Sequence, residues 1–241
     1  MRRKGEILRG WERQYNDPTF IENDPIQFPR KYIGRPMDCE MSAILTALIS
    51  FGNRKQINKK AQWLDDAFND EPFYWLLYSR YKEFIQDNDE SFYRTVTNRQ
   101  MREWCDLLHD IAMEYGTMEY CLRICRKYEA YKGYTDLGIL KSWFGFRDNS
   151  SAKRLAMFMR WMVRDDGIVD IGIWKTVDKN DLVIPLDTHV HRIAIELGIT
   201  KRKTTDIKTA QEITDCFRRI FPGDPARGDF ALFGYGVNNK K

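Results

Sequence analysis

The 241-residue chain lacks any long uncharged apolar run, so no membrane-spanning helix is expected. The opening Met1-Arg-Arg-Lys-Gly-Glu has no apolar stretch behind its charges, and no secretory signal is expected either. Histidine is scarce, at 3 residues, and the 5 cysteines are odd in number and scattered. That usage argues against a disulfide framework and for reduced thiols in a cytoplasmic setting. A large charge excess is missing too: 39 Lys and Arg face 35 Asp and Glu, a net charge of +4 that neither requires nor excludes nucleic acid. Strand-length alternation of β-branched and polar residues is rare, and there is no internal repeat or low-complexity segment.

Apolar residues spaced three and four apart fill the chain instead. The segment from Asp38, DCEMSAILTALISFG, predicts a helix with an early polar cap and a stop at Gly52. RKQINKKAQWLDDAF predicts a second helix with a basic first half, and residues 70–84 and 99–130 continue the pattern. In DNSSAKRLAMFMRWMVRDDG, Asp148 to Ser151 offer caps. There Leu155, Phe158, Met159 and Met162 form an apolar stripe, with Lys153, Met157, Arg160 and Arg164 on another face. The turn-rich residues 165–185 read as an insertion or long loop, with a minor hairpin near 168–185 as the one β expectation. Further helices are predicted after Asp187, with Gly198 as stop, over TTDIKTAQEITDCFRRIFPG, and after Asp224-Pro225 read as N-cap and N1.

Asp187 starts an apolar-periodic run, which makes it a routine N-cap; Pro185 biases Ile184 toward the extended geometry of a chain approaching a helix. A cap alone says nothing about chemistry. Nor does His189-Val-His191 suggest a metal, since positions two apart on a helix do not share a face. Cys121 and Cys125 do share one, but no other ligand is close in sequence.

Three stretches carry a resemblance. LDTHVHRIA resembles the VDTHxxRV element of the helix-hairpin-helix base-excision DNA glycosylases, the endonuclease III superfamily. AILTALISFGNRKQINKKA is similar to that family's early IAVLLSxQxxDxxVNKA segment, keeping Ser50, Lys60 and Ala61 but placing Gly52 where the family often has Gln. DNSSAKRLA stands where the family writes LPGVGxKTA, with Asn149 and Ser151 in place of the two hairpin glycines. The long interval between Lys153 and Asp187 looks like the archaeal 8-oxoguanine glycosylase branch, as does the spacing of Asp229 and Phe233 in GDFALFG. From ENDPIQFPRKY through FALFGYG the chain also resembles an uncharacterised bacterial family related to this superfamily. The superfamily resemblance spans roughly residues 38 to 237, with specific motifs in about a third of it.

The resemblance implies an all-α, two-lobed helix-hairpin-helix glycosylase fold with a cleft between lobes. Residues 1–37 and 138–241 would form one lobe and 38–137 the other. It implies Lys153 and Asp187 as catalytic residues, and Met157, Asp229 and Phe233 as the pocket of an extruded base. Asn53, Arg54, Lys55, Ser150, Ser151, Arg154 and His189 would contact DNA. The expected activity is DNA repair by base excision: hydrolytic removal of a damaged base, an oxidised purine such as 8-oxoguanine being favoured. AP lyase activity would follow if Lys153 forms a Schiff base. The expected partner is damaged double-stranded DNA, bound by a cytoplasmic monomer that is nucleoid-associated when on DNA. No cofactor is expected: the superfamily's four-cysteine iron–sulfur site has only Cys216 after Asp187.

Chemically, an extruded base exposes its glycosidic bond, a carboxylate beside the sugar stabilises developing positive charge, and an amine attacking C1′ gives an imine. For that the Lys153 amine must lose its proton, helped by desolvation or by Arg154, Arg160 or Arg164. Each residue has an ordinary alternative. Lys153 reads equally as an exposed helix lysine, Asp229 as surface, Phe233 as core, and Arg54, Lys55, Lys59 and Lys60 as a solvated face. The missing hairpin glycines favour a second expectation, a catalytically inactive DNA-binding protein on the same fold. A third is an interaction protein that binds no nucleic acid.

Overall fold

A computed structural model describes residues 2–238, with the side chains of 3–236. The chain is mostly helical, and among the described residues the β-structure is one short antiparallel pair, Ser91–Tyr93 with Val96–Thr97, plus an isolated bridge between Ser150 and Asp206. No helix is long and apolar enough to cross a membrane among the described residues. Two compact units form, residues 1–22 with 145–241, and residues 23–144. The sequence placed the boundaries at 37/38 and 137/138; the units divide at 22/23 and 144/145.

In the 23–144 unit the central helix is Pro36–Leu48, in which every residue from Cys39 to Leu48 is buried. A helix apolar nearly all round is a core helix. Its start corrects the expected cap: Pro36 is the first-turn proline, and the Asp38 carboxylate instead accepts the Phe73 N–H, capping the Pro72–Leu77 helix. The Arg54–Phe68 helix begins where expected, its N-terminus satisfied by the Asn53 side chain accepting from Lys55 and Gln56. Gly52 has φ +95°, and a Cβ there would lie 2.7 Å from the Arg94 guanidinium, so the turn selects glycine. The small hairpin feeds the Asn98–Tyr115 helix, whose N-cap is Thr97.

In the other unit, the first helix, Arg2–Tyr15, lies along the last, Arg227–Asn238. Trp11 stacks on Tyr235 at 3.8 Å, and Gly234 lets the Tyr15 ring approach the backbone, a Cβ there falling 2.2 Å from the ring. Leu8, Ile184, Leu186, Val190, Ile193, Ile213, Phe217 and Leu232 build the core, which gathers the first helix, Thr188–Glu196, Ile207–Ile220 and the last helix.

Three local expectations are corrected here. No strand forms in 168–185: the Lys153–Val163 helix ends at Arg164, and the following loop is tied back to it by Ile171 and Gly172 N–H groups on the Trp161 carbonyl and Trp174 N–H on Met162. The Lys153–Val163 helix has no side-chain cap; Ala152, its N-cap, is left-handed at φ +45°, ψ +46°, and the Ser150 hydroxyl accepts the Ala152 N–H. Asp224 does not cap the last helix, which starts at Arg227 after a turn; its carboxylate faces Arg164.

Candidate active site

Asp187 is the N-cap of the Thr188–Glu196 helix, with extended backbone and Oδ1 accepting from His189 N (2.9 Å) and Val190 N (2.8 Å). Its other oxygen, Oδ2, lies 3.1 Å from Nζ of Lys153. The two carboxylate oxygens therefore divide the work, one holding the helix and the other a lysine amine from the first turn of the Lys153–Val163 helix. The pair is shielded but reachable, with Lys153 32% and Asp187 14% exposed at the side chain.

Behind this pair lies a buried ion network that sequence reasoning missed. Arg160, on the Lys153 helix, pairs with Asp170 (3.2 Å) and Asp229; Arg164, one turn on, pairs with Asp166 (3.1 Å), Asp170 and Asp224 (3.0 Å). Both guanidinium groups also lie against the Phe230 ring, at 4.5 and 5.1 Å. Asp166 accepts from Asn16, and Glu12 pairs with Arg227, so the first helix is tied in as well. The signal available in sequence was a pair of arginines four apart in an otherwise apolar helix, followed by an Asp-rich loop. Buried guanidinium groups demand carboxylates.

Burial pushes the Asp229 carboxyl up to about 6, with Asp187 adding to the rise and Arg160 and Lys153 opposing it. Burial likewise raises Asp170 and Asp224 against the pull of their arginines. At Asp166 burial also works against ionisation, but Arg164 and donated hydrogen bonds hold it below the ordinary carboxylate range.

The structure thus brings Lys153, Asp187 and Asp229 into one electrostatic neighbourhood. Asp229 is buried, its Oδ2 held by Arg160, so the surface alternative for it is removed. Met157 is buried on the same helix as Lys153. Phe233 is half-buried, set edge-on to Phe20 at 5.9 Å, and packs against the core. Arg160 and Arg164 do not crowd Lys153 with free positive charge, as the sequence reading had it; aspartates neutralise them. Burial lowers Arg154 to about 10, and it lies over Phe146 at 4.8 Å.

Of the DNA-contact candidates, Ser151 is buried, and Ser150 and His189 are half-exposed. Asn53, Arg54 and Lys55 belong to the 23–144 unit, where Asn53 serves as a helix cap. His191 is buried with Nε2 2.9 Å from the Arg202 carbonyl. Among the described residues no cluster of three or more His, Cys, Asp or Glu is arranged to hold a metal ion.

Residues 24–238 match the family described as "Protein of unknown function (DUF2400)". The chain belongs to this family. Neither the curated proteins nor the solved structures provide a match. The family span covers both Lys153 and Asp187 together with the whole arginine–aspartate network.

Proposed function

We propose that this protein is a DNA glycosylase of the helix-hairpin-helix type, excising a damaged base, with an oxidised purine as the favoured substrate. The observation that carries this reading is the 3.1 Å contact between the Lys153 amine and the Asp187 carboxylate, 34 positions apart in sequence and joined at the start of two helices. In this reading Nζ of Lys153 adds to C1′ of the nucleotide as the glycosidic C–N bond breaks. The base leaves with the bonding electrons and takes up a proton. Asp187 accepts the amine's proton and stabilises positive charge on the sugar. Opening of the sugar ring leaves an imine, the intermediate of strand scission. Asp187 can serve because its capping bonds occupy Oδ1 alone.

Borohydride reduction of the protein mixed with duplexes carrying 8-oxoguanine or an abasic site tests it. A covalent adduct dependent on Lys153 is expected; absence of both adduct and base release refutes the reading. A second reading, DNA binding without catalysis, has its own observation. The left-handed positions flanking the candidate hairpin are Gly145 and Ala152, not 149 and 151 where the superfamily has glycines, so the turn differs in geometry. Salt-sensitive binding with no effect of Lys153→Gln would favour it.

A further inference from the structure

The groups that face Asp229 come from several elements. Arg160 and Lys153 reach it from the Lys153–Val163 helix, Asp187 acts on it from the cap of the Thr188–Glu196 helix, and Asp170 shares Arg160 with it from the intervening loop. Asp229 is a second carboxylate near the amine, yet the partner that holds it is a guanidinium.

We infer that Arg160 and Asp229 are positioning residues for the Lys153 amine: Arg160 draws the Asp229 carboxylate onto itself, leaving Asp187 as the carboxylate in contact with Nζ, and so keeps Lys153 from being clamped as an ammonium between two anions. The use made of that amine rests on the glycosylase reading; the charge relation does not. An ammonium flanked by two carboxylates gives up its proton reluctantly, because each anion favours the charged form. Asp170 in turn fixes Arg160 through Nε, so that its terminal nitrogen is aimed at Asp229. Burial favours a proton on Asp229 up to about pH 6, and above that Arg160 is its counter-charge.

Competitive reductive methylation of the full chain by formaldehyde and cyanoborohydride, with Lys153 read by peptide mass spectrometry, tests this without DNA. At pH 8, Asp229→Asn removes a negative neighbour and should speed Lys153 methylation by about tenfold, the effect of roughly one charge acting across a partly buried site. Arg160→Gln, which releases the carboxylate, should slow it. A structural role alone would move the labelling of many lysines together rather than Lys153 selectively. In the unaltered protein, the pH profile of Lys153 labelling should show an inflection near pH 6, a readout that does not depend on any variant folding. Unchanged Lys153 labelling in Asp229→Asn, or a profile without that inflection, overturns the inference. Selective labelling changes in a protein that leaves no adduct on damaged DNA would keep the charge relation and refute the glycosylase reading instead.

Discussion

Asp187→Asn and Asp187→Ala separate the two roles of one carboxylate. Asn retains an oxygen that can accept from His189 and Val190 N–H, the bonds now made by Oδ1 at 2.9 and 2.8 Å, and it is a good N-cap. It loses the charge that Oδ2 presents to Lys153 at 3.1 Å. That ion pair is partly solvated, and its loss costs about 0.5 kcal/mol, within the usual range for screened pairs. Ala loses the ion pair and the cap together, the cap adding about 1 kcal/mol. Equilibrium denaturation should therefore place Asp187→Asn within about 1 kcal/mol of the parent and Asp187→Ala at about 1.5 kcal/mol below it. Borohydride trapping on an abasic duplex should fall steeply in both. If Asn destabilises as much as Ala, the division of labour between the two oxygens is wrong. If Asn traps as well as the parent, the carboxylate has no chemical role.

Three further outcomes follow from the same structure. Asp229 holds its proton to about pH 6 in the fold, whereas an unfolded Asp releases it near pH 4; between these values the native state binds more protons, so its contribution to stability falls as pH rises. Urea melts of the parent minus Asp229→Asn should show a decline of roughly 2–3 kcal/mol from pH 4 to pH 6 and a flat difference above it; a difference that rises over that window contradicts the assignment. Ala152→Gly relieves a left-handed residue, which offsets the lost methyl and added chain entropy, so it should cost about 1–2 kcal/mol less than Ala156→Gly at a buried helical site; equal costs by denaturation would contradict the strain. Gly234→Ala drives a Cβ to 2.2 Å from Tyr15 and should lower stability by about 1–3 kcal/mol, while Gly10→Ala, with open space around it, should raise it by about 0.5–1 kcal/mol; a thermal melt showing both variants stabilised would sink the close-approach argument.

Helices whose apolar period was long and whose caps were conventional were legible in the sequence. Arg54–Phe68 starts after Asn53 and Thr188–Glu196 after Asp187, as their residues imply. What escaped was decided by tertiary partners. Asp38 and Asp224 look like caps for their own helices, but one caps Pro72–Leu77 and the other goes to Arg164, because a buried N–H or guanidinium elsewhere lacked a partner. The 91–97 hairpin was missed because strands of three and two residues are too short to show a period. At the candidate site, Lys153 and Asp187 were named from sequence, and the contact between them required the fold. Arg160 and Arg164 were noticed only as a polar helix face, because nothing local shows that Asp166, Asp170, Asp224 and Asp229 come to meet them.

The central claim is that Lys153 and Asp187 act together on a damaged nucleotide. Its most direct measurement is borohydride trapping on duplexes with 8-oxoguanine or an abasic site, followed by peptide mapping of the adduct. The account predicts a single cross-link, located at Lys153 and lost in Asp187→Asn. A cross-link on another lysine, or no adduct and no released base on either duplex, would contradict it.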